Sequence, residues 1–138
     1  STEGGAVLSD ASEKEIAALL SYGHNLGMAF QIADDILDFT SDEQQLGKPV
    51  GSDLRQGTYT LPVFYFIEQD ARGANLIEMS KDMDALVDAI RTSLAIQASK
   101  DEARRFAQTA IDALAIFPDT EHRRALIDLA TYVVDRTL

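Results

Sequence analysis

Apolar residues recur at spacings of three and four along most of the chain, and no stretch alternates with period two. From Ser12 to Thr40 the recurrence runs Ile16, Leu19, Leu20, Gly23, Leu26, Gly27, Phe30, Ala33 and Leu37, which predicts one long helix. Asp10, with Glu13 three residues on, reads as its capping box. Gly23 and Gly27 each cost a helix interior about 1 kcal/mol relative to alanine. Four apart on one face, they predict close approach of a neighbouring helix. The pattern then collapses over Ser41 to Thr58, SDEQQLGKPVGSDLRQGT, where three glycines, a proline and mixed charges predict a loop. At ~18 residues it exceeds the usual connection, a length associated with function or disorder. A short apolar helix follows, with Pro62 near its first turn. Further helices are expected over about 74–79, 82–98, 100–117 and 120–136. Ser99 with Glu102 predicts a second capping box, and Pro118 ends the helix before it. The chain therefore reads as an all-α unit over residues 1–138.

Composition narrows the chemistry. Apolar residues make up 46% of the 138 residues, enough for a packed core. A net charge of −11 repels phosphate backbones, so a nucleic-acid face is not expected, nor docking on anionic lipid. The absence of cysteine excludes disulfides, thiolate nucleophiles and Cys-ligated zinc, and fits a cytoplasmic chain. The longest apolar run, Leu61 to Ile67, is far short of the roughly 20 residues of a spanning helix, so no transmembrane segment is expected.

The candidate chemistry lies at the end of the first helix, Gln31-Ile32-Ala33-Asp34-Asp35-Ile36-Leu37-Asp38. At about 100° per residue, Asp34, Asp35 and Asp38 fall within one quarter-turn arc. Like charges so placed repel, and Phe30, Ile32, Ile36, Leu37 and Phe39 surround them with apolar surface. In so acidic a chain such a run also reads as a solvated helix face. The adjoining loop favours chemistry: Gly47-Lys48-Pro49 and Gly51-Ser52-Asp53 put a cation and flexible backbone beside the acids. Carboxylates attract hard divalent cations, and Mg²⁺ keeps positions for water and phosphate oxygens. The pattern suggests a diphosphate held through metal bridges.

Gly27-Met28-Ala29-Phe30-Gln31-Ile32-Ala33-Asp34-Asp35-Ile36-Leu37-Asp38 resembles the second aspartate-rich region of the trans-polyprenyl diphosphate synthases. The loop GKPVGSDLRQGTYTLP, Gly47 to Pro62, is similar to the segment that follows it in that family. The resemblance implies the C-terminal portion of an isoprenoid-synthase-type helical bundle. It also implies head-to-tail condensation of an allylic diphosphate with isopentenyl diphosphate. On it, Asp34 and Asp35 ligate Mg²⁺ and Asp38 completes the motif directly or through water. Phe30 and Gln31 face the substrates, Lys48 contacts the allylic diphosphate, and Asp53 acts as a water-mediated or outer partner. Asp34, Asp35 and Lys48 are then the catalytic set, and 41–58 is an active-site loop.

Two departures from the family pattern stand out. Where many members carry a second lysine, this chain has Gly57-Thr58-Tyr59-Thr60, which tilts toward a longer product. A first aspartate-rich motif and the basic residues for isopentenyl diphosphate are absent, and Ser1 to Ala6 resembles the tail of a preceding helix entered midway. The chain therefore reads as the C-terminal half of a longer synthase, inactive alone, with a missing N-terminal half and self-association through the apolar side of the first helix, including Phe30 and Leu37. The alternatives are a non-catalytic partner subunit of a heteromeric synthase and, less favoured, a terpene cyclase.

Elsewhere the expectations are structural. His24 reads as a buried or half-buried histidine and His122 as surface. Tyr59, Phe64, Tyr65 and Phe66 read as core aromatics, ahead of the alternative that they line a hydrocarbon pocket. Asp82, Asp84 and Asp88 read as a solvated face.

Overall fold

A computed structural model describes residues 12–42, 44 and 47–137. The order is α1 (Glu13–Thr40), α2 (Ser52–Arg55), α3 (Leu61–Gln69), a 3₁₀ turn (Ala71–Asn75) running into α4 (Leu76–Met79), then α5 (Met83–Arg91), α6 (Leu94–Ala113) with a 3₁₀ turn (Leu114–Ile116), and α7 (Glu121–Asp135). No strand occurs among the described residues, as the helical periodicity predicts. At the described start of α1 the Ser12 N–H donates to Glu15 Oε1 at 3.1 Å and the Glu15 N–H to Ser12 Oγ at 3.2 Å. Those reciprocal bonds are the capping box. Asp10 and the stretch Ser1 to Ala6 lie outside the described residues.

The chain packs as two compact units. One holds residues 12–31 together with Ala103–Arg136. Its core is Tyr22, Ala110, Leu114 and Ala130, with Leu26, Phe117 and Leu126 packed against it. The Tyr22 hydroxyl donates to the Leu126 carbonyl at 2.7 Å, a partner that a buried phenol needs. Burial pushes its pKa above the ordinary 10.0.

The other unit spans Ile32–Glu102 and includes Thr137. Ile32, Ala33, Ile36 and Phe39 form the buried stripe of α1 within it, and Val63, Phe66, Leu86 and Ile90 are fully buried. Each such large side chain contributes about 1.5–3 kcal/mol relative to exposure. Pro62 sits at the start of α3, and Asp82 caps α5 by accepting from the Ala85 N–H at 3.2 Å. Gly73 permits the 3₁₀ turn to lie on α3: a Cβ there would stand 2.5 Å from the Phe66 carbonyl oxygen.

Several local expectations are corrected. The break expected near Ser99 falls at Thr92–Ser93, where the Ser93 hydroxyl donates to the Ile90 carbonyl at 2.7 Å and accepts from the Ala95 N–H at 3.2 Å. Ser99 is fully buried inside α6, with its hydroxyl bonded to the Ala95 carbonyl at 2.8 Å, while Glu102 accepts from the Tyr65 hydroxyl at 3.4 Å. The helix expected at 74–79 begins as a 3₁₀ turn, and the loop encloses the single turn α2. His24 is exposed. Gly27 has open space where its side chain would be, so among the described residues no helix approaches it closely. Of the four aromatics, Phe66 is buried and Tyr65 half-buried, but Tyr59 and Phe64 are exposed and meet edge to face at 6.4 Å. Exposure at Asp82, Asp84 and Asp88 and at His122 is as expected.

Candidate active site

The apolar positions of α1 dictate where its acids go. Ile32, Ala33, Ile36 and Phe39 turn inward, which leaves Asp34 exposed and Asp35 half-buried. Asp38 falls on the inward side, and its residue is only 3% exposed. In an apolar interior a carboxylate needs a cation or hydrogen-bond donors. The loop supplies both: Lys48 Nζ stands 3.5 Å from Asp38 Oδ1, and the Asp53 N–H donates to Asp38 Oδ2 at 3.3 Å. The Gly51 N–H also donates to the Asp38 main-chain carbonyl at 2.8 Å. One residue thus takes the loop by side chain and backbone together. Among the described residues, Asp38 Oδ1 has no hydrogen bond and keeps the longer ion pair to Lys48.

The loop is shaped by its glycines. Gly47, Gly51 and Gly57 all have positive φ, and they bracket Lys48 and α2. Arg55 braces the same turn: its Nε donates to the Val50 carbonyl at 2.9 Å, and Nη1 pairs with Asp84 Oδ1 at 2.8 Å. The Thr58 N–H closes the segment on the Asp53 carbonyl at 2.8 Å. Asp53 therefore joins this segment through its main chain. Lys48, with a side chain 46% exposed, is held at the loop surface beside the buried end of the motif.

The predicted residues therefore separate into two roles. Asp34 and Asp35 stand toward the outside of α1, whereas Asp38, Lys48 and Asp53 form a loop anchor. Among the described residues no group of three or more His, Cys, Asp or Glu side chains converges to hold a metal ion. An adjacent carboxylate pair still fits Mg²⁺, which uses one or two protein carboxylates and fills its shell with water and phosphate oxygens. Phe30 and Gln31 are exposed on the preceding turn of α1, in the other unit. There the Arg136 guanidinium lies over the Phe30 ring, 4.5 Å from its centroid. Neither Arg55 nor Arg136 is evident from the sequence pattern, because each acts on a residue set by tertiary contact. The acidic first turn at Asp53 and the basic last turn at Arg55 are the local signal that could have revealed α2.

Comparison with known proteins supplies the frame for this geometry. Residues 1–96 match the polyprenyl synthetase family. The chain is 41% identical over 137 residues to heptaprenyl diphosphate synthase component 2 of Geobacillus stearothermophilus, covering 96% of this chain and 43% of that protein. Its fold superposes on the heptaprenyl diphosphate synthase of Staphylococcus aureus with a TM-score of 0.90 at 33% identity, covering 99% of this chain and 45% of that one. It superposes on a Caulobacter crescentus polyprenyl synthase complexed with calcium and isoprenyl diphosphate with a TM-score of 0.84 at 37% identity, covering 99% and 44%. The chain thus spans less than half the length of each of these relatives. No helix among the described residues is long and apolar enough to cross a membrane. With the match extending through the aspartate-rich helix and its loop, the chain belongs to the polyprenyl synthetase family.

Proposed function

We propose that this chain supplies the second aspartate-rich region and the allylic-diphosphate loop of a Mg²⁺-dependent prenyltransferase that extends an allylic diphosphate with isopentenyl diphosphate. The observation that carries this reading is the anchoring of the Lys48 loop by Asp38, at the end of the helix that turns Asp34 outward. Asp34 and Asp35 would hold Mg²⁺, which when bound supplies positive charge against the diphosphate leaving group. Lys48, a compact cation on a flexible stem, turns from Asp38 to a phosphate oxygen and stabilises the charge that develops as the allylic C–O bond ionises. The isopentenyl alkene then attacks the allylic carbocation and loses a proton to the released diphosphate, so no protein nucleophile is needed. Phe30 and Gln31 line the path of the organic part of the substrates. The first aspartate-rich motif and the isopentenyl diphosphate site come from polypeptide beyond this chain.

A second reading has the protein working beside an unlike subunit. The Geobacillus relative, named as a component 2, supports it. The two readings are compatible, since a catalytic component can require a partner.

The test is incorporation of labelled isopentenyl diphosphate in the full-length protein, with any partner component present. Asp34→Ala should lower kcat by on the order of 10²–10³-fold, the scale of losing one preorganised transition-state stabiliser. Lys48→Ala should raise the allylic-substrate KM and lower kcat. Wild-type kinetics for Lys48→Ala would remove that residue from the site, and a wild-type protein that extends no allylic diphosphate would overturn the reading.

A further inference from the structure

The peptide group between Val50 and Gly51, inside the unit Ile32–Glu102, is held at both ends. Its N–H donates to the Asp38 carbonyl at 2.8 Å, and its carbonyl accepts from Arg55 Nε at 2.9 Å. Arg55 Nη1 reaches on to Asp84 Oδ1 in the first turn of α5, at 2.8 Å, so the guanidinium is tied at two points. A peptide beside a glycine is the one most free to turn over, because glycine populates positive and negative φ about equally. The φ of 72° at Gly51 depends on this peptide staying as it is. A cleft of about 340 Å³, whose lining includes Val50, Arg55, Asp84 and Val87, lies beside it, so close packing does not hold the Val50 carbonyl. Lys48 stands two residues earlier, and the chain between is stiff. The ring of Pro49 locks its φ, and the residue before a proline favours extended conformations. The orientation of the Val50–Gly51 peptide is therefore passed on to the Lys48 main chain.

We propose that Arg55 is a positioning residue: by locking the Val50–Gly51 peptide, it fixes the place from which Lys48 meets a phosphate oxygen. The inference rests on the prenyltransferase reading above, in which Lys48 serves the diphosphate. Arg55 acts through the loop and makes no ligand contact, with Nε and Nη1 committed to Val50 and Asp84. A lysine on a loop with two peptide orientations is in place only part of the time. The apparent affinity of its ligand falls by that fraction, and a lock that removes the second orientation restores it. The carbonyl bond matters more than the ion pair, because Asp84 is exposed and a surface pair adds little.

The experiment uses the full-length protein with Mg²⁺ and reads two signals: calorimetric binding of inorganic diphosphate, and hydrogen exchange of the Gly51 amide. Arg55→Met keeps the aliphatic stem and removes both bonds. It should speed Gly51 exchange and weaken diphosphate binding about three- to thirty-fold, the scale of one hydrogen bond. Asp84→Asn keeps the carbonyl bond and should change both signals less than Arg55→Met does. In a Lys48→Ala background, Arg55→Met should cost diphosphate binding nothing more. An undiminished loss in that background would overturn the proposal in favour of a direct Arg55 contact with the ligand. A loss in Asp84→Asn as large as in Arg55→Met would overturn it in favour of the ion pair. Faster Gly51 exchange or a lower melting temperature with unchanged diphosphate binding would leave Arg55 a purely structural brace and overturn it. Weaker binding with unchanged Gly51 exchange would overturn the peptide lock. A wild-type protein that binds no diphosphate would overturn the prenyltransferase reading, and the role of Arg55 with it. That failure is read in the wild type, and failure of the lock in the variants alone.

Discussion

Gly51 meets two independent demands. Its φ of 72° lies in the left-handed region, and a Cβ there would stand 2.6 Å from Val87 Cγ2. Substitution by alanine therefore strains the backbone and collides with a buried side chain. Gly51→Ala should destabilise the chain by about 1–3 kcal/mol, read as a lower denaturation midpoint by circular dichroism. Because part of the cost is the collision, Gly51→Ala with Val87→Ala should lose less than the sum of the two single variants. Strict additivity would show that the backbone alone sets the cost. The need for glycine near the turn was legible in Gly51-Ser52-Asp53. The Val87 contact was not, because it joins residues from separate elements. Asp38 teaches the same lesson: helical spacing grouped it with Asp34 and Asp35, and burial against the loop set it apart.

Two of the short elements, the 3₁₀ turn Ala71–Asn75 and α5, carry a side-chain cap. Asp70 caps the 3₁₀ turn by accepting the Arg72 N–H at 2.9 Å, and its two oxygens also take Arg72 Nε and Nη2 at 3.0 and 2.9 Å. The Arg72 side-chain hydrogen bonds, aided by the backbone one, hold the Asp70 carboxyl down to about 2 from the ordinary 3.8. A carboxylate with a depressed folded-state pKa stabilises the folded form above the unfolded value, and that contribution is lost as pH falls through the folded one. Amide-exchange protection at Ala71–Asn75 should therefore decline as the pH is lowered from about 4 to about 2. In Asp70→Asn that step should be missing. An unchanged step in Asp70→Asn would assign the transition to another carboxyl. The break between α5 and α6 follows the same local logic: Ser93 bonds its neighbours' backbone and displaces the boundary from Ser99, whose hydroxyl is satisfied inside the helix.

For the whole molecule, the decisive fact is length. The chain spans 43–45% of the relatives described above, yet it carries the anchored Lys48 loop and the aspartate pair. On the proposed function, the 138-residue chain alone should form no extended product from allylic and isopentenyl diphosphates with Mg²⁺. Radiolabelled isopentenyl diphosphate is the measurement, and turnover by the pure chain would show that one aspartate-rich region suffices. On the apolar side expected to drive self-association, Phe30 is exposed with the Arg136 guanidinium over its ring, and Leu37 is half-buried.

The sequence by itself determined the helical class, the long first helix, the glycine-rich loop and the motif at their junction. These follow from interactions over three or four residues: apolar periodicity, glycine in left-handed turns and proline in a first turn. Such terms act within one element, so they can be read along a line. Tertiary structure decided which acid of the motif is buried, which aromatics are covered, and that Ser99 lies within a helix. It also brought Arg136 to Phe30, a pair 106 positions apart. These outcomes depend on which surfaces exclude water together and on which buried charge finds a partner. Both are settled by contacts between elements, and spacing along the chain does not encode them.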